Sequence, residues 1–338
     1  MKNLSINGWQ KKLIATLTIT TMSLTSNAVW AQLRGGGDSF AEPLYQRYSK
    51  EYEQQTGERF KYTTIGSGGG IRLFARKSID FGGSSLIPTP IEQNQMEDGL
   101  LMVPTGGGAL AIVYNLKNVS KQVKLSREQL AQIFTGQINN WQQIDSSFPN
   151  QRIQVVVCSG NCATSFILSK YLHKITKGKI PASRNPNWGF QVYSAFPEDG
   201  GIAGEVRRID GAIGYVQSSF AIANDLSVAS IENRKGRYVQ PTLAETKKAL
   251  ANVKFNEDFT TEDIQDPEEG YPLVSLTWLL VSKKYLNPDT MKATQNLLTW
   301  ILTKGQEFNE QLEYTRIPED VAQRAIEAVK TQMSIRPY

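Results

Sequence analysis

Apolar residues along this chain fall into alternating helical and strand-like patterns, separated by runs of glycine and hydroxyl residues. Between Ala41 and Thr56, Leu44, Tyr45, Tyr48 and Tyr52 recur at helical spacing and Gly57 follows, which predicts an amphipathic helix with a glycine stop. Residues 59–65 alternate polar with apolar, the mark of a half-buried strand. Gly66-Ser-Gly-Gly-Gly70 reads as a loop, and Ile71 to Lys77 as the helix after it. A short strand, Ile79-Asp-Phe81, leads in the same way into Gly82-Gly-Ser-Ser85. Apolar runs at Leu110–Tyr114 and Leu276–Val281 have the length of buried strands. Further helices are predicted at Leu125–Phe134, Thr164–Lys174, Leu243–Val253, Asp289–Lys304 and Pro318–Thr331. Strand, loop and helix in repeated succession predict a parallel α/β sheet. Thr105-Gly-Gly-Gly108, just before a strand, reads as a crossover between lobes.

A length of 338 residues suggests about two domains. With 40% hydrophobic and 20% charged residues, the chain is neither a disordered segment nor a polytopic membrane protein. The formal charge of +5 includes Lys2, Lys11 and Lys12, and these lie in a stretch that reads as a secretory leader. Leu13 to Leu24 supply a moderately apolar core, and Val29 and Ala31 are small residues where a signal peptidase would read them. Cleavage is expected near Ala31, leaving a mature charge of 5 − 3 = +2. Twelve apolar-to-hydroxyl residues are too few to span ~30 Å of hydrocarbon. No run of Lys or Arg exceeds two, so no nucleic-acid partner is expected.

Open α/β sheets bind ligands beyond the carboxyl ends of their strands. Three loops here have the composition for that role: Gly35-Gly-Gly-Asp-Ser-Phe40, Gly66-Ser-Gly-Gly-Gly70 and Cys158-Ser-Gly-Asn-Cys-Ala-Thr-Ser165. Each leads into a predicted helix, whose first N–H groups and partial positive charge favour an anion. An enzyme would need a nucleophile beside a base. The single His173 lies about eleven residues, ~16 Å along a helix, from Cys162, so no local Cys–His dyad forms. Cys and His are also too few for a typical zinc site, and neither metal nor cofactor is expected. His173 reads as a satisfied residue near a helix end, and Asp80 as the organiser of a turn.

Several stretches together carry a resemblance that covers nearly the whole mature chain. They are Gly35-Gly-Gly-Asp-Ser-Phe-Ala-Glu-Pro-Leu-Tyr45, Thr64-Ile-Gly-Ser-Gly-Gly-Gly70, Ile79-Asp-Phe-Gly-Gly-Ser-Ser85, Leu130–Ile138 with Trp141, and Asp210-Gly-Ala-Ile-Gly-Tyr-Val216. In order and spacing the chain resembles the PstS family, the phosphate-binding proteins of bacterial phosphate ABC transporters. The resemblance implies a two-lobed periplasmic-binding-protein fold of the type II-like α/β class, with the ligand in the inter-lobe cleft. One lobe would comprise residues 32–106 plus 274–338, and the other residues 107–273. It also implies a periplasmic, non-enzymatic monomer that captures an inorganic anion, phosphate first, for a membrane permease. The implied ligand contacts are Ser39 and Phe40 from the first loop, Ser67 from the second, Ser85 after the third, and Cys162, Ala163 and Thr164 at a helix start.

The departures from that pattern bear on the ligand. Where the family has an aspartate that accepts the proton of phosphate, this chain has Ser85. Where it has an arginine paired with an aspartate two residues on, this chain has Cys158 and Gly160. A different anion, sulfate or a small organic one, therefore stands as the alternative, and Arg34, Arg72 and Asp38 are candidate replacements. Cys158 and Cys162 are expected to form a disulfide, since export favours oxidation; two buried thiols are the other possibility.

Overall fold

The computed structural model describes residues 32–337; the expected leader, 1–31, lies outside them. The first half runs β1 (Leu33–Gly37), α1 (Glu42–Thr56), β2 (Phe60–Thr64), α2 (Ser67–Ala75), β3 (Phe81–Ser84), α3 (Pro90–Asn94) and β4 (Leu101–Asn115). Then come β5 (Lys124–Leu125), α4 (Arg127–Ile133), β6 (Gln154–Cys158), α5 (Ala163–Ile175), β7 (Ser194–Phe196), α6 (Asp199–Arg208) and β8 (Ala212–Gln217). They are followed by α7 (Ser218–Ala223), β9 (Ser227–Val228), β10 (Ser230–Glu232), β11 (Tyr238–Val239) and α8 (Leu243–Leu250). The chain closes with β12 (Val274–Val281), β13 (Lys284–Tyr285), α9 (Pro288–Leu302), α10 (Glu319–Gln332) and β14 (Ser334–Ile335).

The main sheet has the order β2-β1-β3-β12-β4-β8-β6-β7, with β9 added against β4. Its two ends are parallel, β1 beside β2 and β3, and β6 beside β7 and β8. Its middle is not. β4 runs antiparallel to both β12 and β8, and β12 antiparallel to β3. The wholly parallel sheet expected from the strand–loop–helix rhythm is corrected here, because two long strands stitch two parallel arrays together. β4 is buried over fourteen of its fifteen residues. Its first half pairs with the whole of β12, and its second half pairs with β8. The register shifts between Thr277 and Trp278, which pair with Gly106 and Pro104, so Thr105 of β4 is the extra residue beside the glycines at 106–108. Those glycines lie inside β4 rather than ahead of it, and the crossover is a continuous strand.

Local chemistry explains most boundaries. α1 stops where Gly57 takes a left-handed conformation (φ 76°) and returns its N–H to the Glu53 carbonyl at 2.9 Å. α3 and α4 open with capping boxes, Thr89 with Glu92 and Ser126 with Gln129. The glycine run at 68–70 was expected as a loop, yet it forms the first turn of α2. Glycine serves close approach there: a Cβ at Gly70 would sit 2.7 Å from the Gly83 carbonyl oxygen, and one at Gly68 would sit 2.6 Å from Cβ of Asn161. The short strand expected at 79–81 is displaced to Phe81–Ser84, since Asp80 is used to accept the Arg34 N–H at 2.7 Å.

Candidate anion-binding site

At the end of β1 the chain turns at Asp38, whose carboxylate is fully buried. Its Oδ1 accepts the Ser67 hydroxyl at 3.0 Å and the Phe40 N–H at 3.1 Å. Its Oδ2 accepts the Ser85 hydroxyl and, at 3.1 Å, that of Thr277. Ser67 in turn receives the Ser85 N–H at 3.1 Å. One carboxylate thus ties together the loop after β1, the start of α2, the end of β3 and β12 beside the bulge of β4. Burial pushes the Asp38 pKa up, and the four donors pull against it.

A second array of elements closes over this one. The loop after β6 carries the Cys158–Cys162 disulfide. Tyr215 of β8 underpins it, with its hydroxyl accepting the Cys158 N–H at 2.9 Å and lying 2.7 Å from Ser165 Oγ. α5 then begins at Ala163 with no side-chain cap, as α1 and α2 do. Its first N–H groups therefore have no partner within the helix. The Thr164 hydroxyl, in that first turn, is buried and makes no hydrogen bond, though it lies beside the Asp199 carboxylate. A buried hydroxyl left unpaired costs about 1–3 kcal/mol, so such a group marks a place built for something else.

Asp199, the first residue of α6, is also fully buried. Its Oδ2 accepts the Gln217 N–H at 2.9 Å, and its Oδ1 lies 3.4 Å from the Ser39 hydroxyl, which donates to it. Burial pushes its pKa up to about 7; the negative Asp38 adds to that, while the Gln217 N–H and the Thr164 and Ser39 hydroxyls pull it down. Sequence reasoning did not single out Asp199. The signal available was Glu198-Asp199-Gly-Gly201, an acidic residue heading a helix, which reads as an ordinary first-turn acid.

The residues expected at the site are distributed as follows. Ser67 and Ser85 meet at Asp38, Ser39 reaches Asp199, and Ala163 and Thr164 form the uncapped start of α5. The Phe40 N–H is turned to Asp38, and the Phe40 ring packs edge-on against Tyr314. Cys162 is corrected as a side-chain donor: its sulfur is in the disulfide, and its N–H goes to the Gly160 and Arg184 carbonyls, each at 3.0 Å. Of the candidate replacements, Arg34 and Arg72 are exposed and only Asp38 faces inward. A rim contact joins the two arrays, where Arg184 Nη1 meets the Glu92 carboxylate at 2.7 and 3.0 Å and Nη2 the Ile87 carbonyl at 2.8 Å. His173 Nδ1 lies 2.9 Å from the Ile180 carbonyl, far from these groups at the other end of α5.

A mixed sheet with uncapped helix starts on the loops at its strand ends has the layout of a solute-binding-protein fold. The model of the PBP superfamily domain matches residues 23–304. Among solved structures, the chain is similar to a phosphate-bound, high-affinity periplasmic phosphate-binding protein, PfluDING, with a TM-score of 0.76 at 19% identity, covering 88% of this chain and 93% of that one. It is 30% identical over 337 residues to the phosphate-binding protein PstS of Pasteurella multocida (strain Pm70), covering 96% of each chain. It is likewise 30% identical over 334 residues to the PstS of Methanocaldococcus jannaschii, covering 88% of this chain and 85% of that one. The chain belongs to the PstS family of phosphate-binding proteins, and its fold is the two-lobed one of that family.

Proposed function

We propose that this protein captures inorganic phosphate in the periplasm, where a cleaved leader would deliver it, and presents it to the membrane permease of an ABC transporter. It acts as a stoichiometric carrier and monomer, without turning its ligand over. The ligand lies between the two arrays, held by the Ala163 and Thr164 N–H groups with the Thr164 hydroxyl, and by the Ser39, Ser67 and Ser85 hydroxyls, which turn from their carboxylates to donate to it. Phe40 shapes the first loop and Cys162 the third. The lobes are residues 32–106 with 274–338, and 107–273, hinged where β4 and β12 cross. The observation that carries this reading is the buried, unpartnered Thr164 hydroxyl at the uncapped start of α5. The names of the relatives supply phosphate as the first choice.

Among the described residues, no Lys or Arg side chain bonds Asp38 or Asp199, and the one arginine at the rim is spent on Glu92. That favours a second reading, in which another oxyanion or a small organic anion is the ligand, because a guanidinium contributes two strong parallel bonds to phosphate. Isothermal titration with phosphate, arsenate, sulfate and citrate separates the two. We expect one phosphate per chain and displacement by arsenate. Citrate binding with no heat from phosphate would overturn the first reading.

A further inference from the structure

We infer that Asp199 is the specificity-determining acceptor of the site, the group that admits an oxyanion carrying a proton and repels one that does not. This inference rests on the oxyanion reading above. Two carboxylates border the proposed ligand space, and only one of them is available. Asp38 already receives four hydrogen bonds, two on each oxygen. Asp199 receives one short bond, from Gln217 N–H, and a long one of 3.4 Å from Ser39, with the Thr164 hydroxyl beside it but not bonded. A carboxylate can accept about four hydrogen bonds, so Oδ1 of Asp199 has unused capacity on the side where Ser39 and Thr164 lie.

An ionised carboxylate is acceptor-only. Facing a tetrahedral anion, it is attractive if one of the anion's oxygens brings an O–H and repulsive if none does. Monohydrogen phosphate has that O–H at neutral pH and sulfate does not. When the anion enters, its O–H donates to Asp199 Oδ1, and the Ser39 hydroxyl turns from Asp199 to a ligand oxygen; no proton need leave either group. Selectivity then comes from a repulsive element that operates only against the wrong anion. Ser85 cannot supply it, because a neutral hydroxyl does not repel an anion by charge.

The groups that face Asp199 are few. Asp38 bears on it from the loop after β1, Tyr215 from β8 and Tyr314 from the segment before α10. Burial holds both phenols above their ordinary value, so they stay neutral across the range of interest. α7 and β7 carry no charged side chain, and the one thiol of β6 is in the disulfide. Asp38 and Asp199 are then the pair that titrates at the site.

The test is isothermal titration of the exported protein with inorganic phosphate and with sulfate at pH 8, for the native chain and Asp199→Asn. Asparagine keeps the shape and still accepts the Gln217 N–H. The native protein should prefer phosphate by about 100-fold or more, and Asp199→Asn should close that gap by about tenfold or more, as expected for a bond to a charged group. An unchanged ratio in Asp199→Asn overturns the assignment, and so does loss of the ratio in Asp38→Asn alone. The unmodified protein gives a second reading. Sulfate takes up no proton between pH 6 and 8.5, so its affinity should strengthen as pH falls through about 7, where Asp199 becomes protonated, and should be flat in Asp199→Asn. A flat native profile also overturns the assignment. Failure of the oxyanion reading looks different: the native protein would then bind neither phosphate nor sulfate at any pH.

Discussion

Asp38 and Asp199 are the same chemical group in the same degree of burial, yet they sit in opposite states of satisfaction. Asp38 is surrounded by donors from four separate segments and acts as a knot between β1, α2, β3 and β12. Asp199 has one good donor and faces hydroxyls that have nowhere better to point. Burial alone therefore does not say whether a carboxylate belongs to the fold or to the ligand; the count of its donors does. The largest expected effect breaks the knot. Asp38→Ala leaves two serine hydroxyls, a threonine hydroxyl and an N–H without their acceptor, each at about 1–3 kcal/mol, and we expect about 3–5 kcal/mol of lost stability in urea titration. Asp199→Asn, measured beside it at pH 8, should lose none. Equal losses would erase the distinction.

The hydroxyls sharpen the same contrast at a smaller scale. Ser67 is bonded within the Asp38 knot, whereas Thr164 lies beside Asp199 without a formed hydrogen bond. Ser67→Ala should cost both stability and phosphate affinity, the latter by about 1–3 kcal/mol. Thr164→Val should weaken phosphate by a similar amount while leaving the ligand-free protein as stable or slightly more so, because an unpaired buried hydroxyl is removed. Thermal melts and titration calorimetry on the two variants check this. Ser334→Ala, at an exposed position on β14, is the control that should change neither stability nor phosphate affinity.

Much of this molecule was legible in the chain. The helices at 42–56, 163–175 and 288–302 fall within a residue or two of the tyrosine, leucine and cap patterns that predicted them. The glycine-rich segments misled, because glycine marks both turns and close packing. At 68–70 and 106–108 it was packing, inside a helix and inside a strand. The loops after β1 and β2 that meet at Asp38 stood out because each keeps its hydroxyls beside its glycines. Asp199 could not, because it joins Ser39 across 160 positions and nothing local distinguishes it from a helix-starting acid. The disulfide was readable from two cysteines in a chain expected to be exported. Its consequence, that Cys162 has neither a thiol nor a free N–H to offer, needed the coordinates.

The pH dependence of stability tests the electrostatic half of the comparison. An aspartate with a folded pKa near 7, against an ordinary 3.8, is protonated in the folded protein over a range where the unfolded chain has lost the proton. The folded state then binds more protons, so stability is greatest below about pH 4 as far as this group is concerned and declines as pH rises toward 7. The slope is at most about 1.4 kcal/mol per pH unit for one such group. Asp38 acts in the same direction. Asp199→Asn should flatten the slope of ligand-free stability between pH 5 and 7, and saturating phosphate should offset it in the native protein. A native slope that survives Asp199→Asn in full would assign it to Asp38.

The smallest effect concerns how the two sides stay together. Arg184 and Glu92 bridge the Asp199 array to the Asp38 array at the rim, with side chains 17% and 26% exposed. Partial burial pushes Glu92 up, but the Thr89 N–H and the Arg184 guanidinium outweigh it and hold its pKa below the ordinary 4.5. Its contribution is thus present through neutral pH and lost only as pH falls through that depressed value. Partly exposed pairs are weak, so about 1 kcal/mol is the scale, and a two-point guanidinium contact sits at its upper end. Arg184→Met removes the charge but leaves the backbone carbonyl that receives the Cys162 N–H. If the pair holds the cleft shut, phosphate should leave this variant about fivefold faster in stopped-flow measurements while entering at the native rate. In high salt the native rate should move toward the variant's, because screening weakens the same contact. An unchanged departure rate would mean that the bonds across the cleft floor, Ser39 to Asp199 among them, hold the two arrays together without the rim.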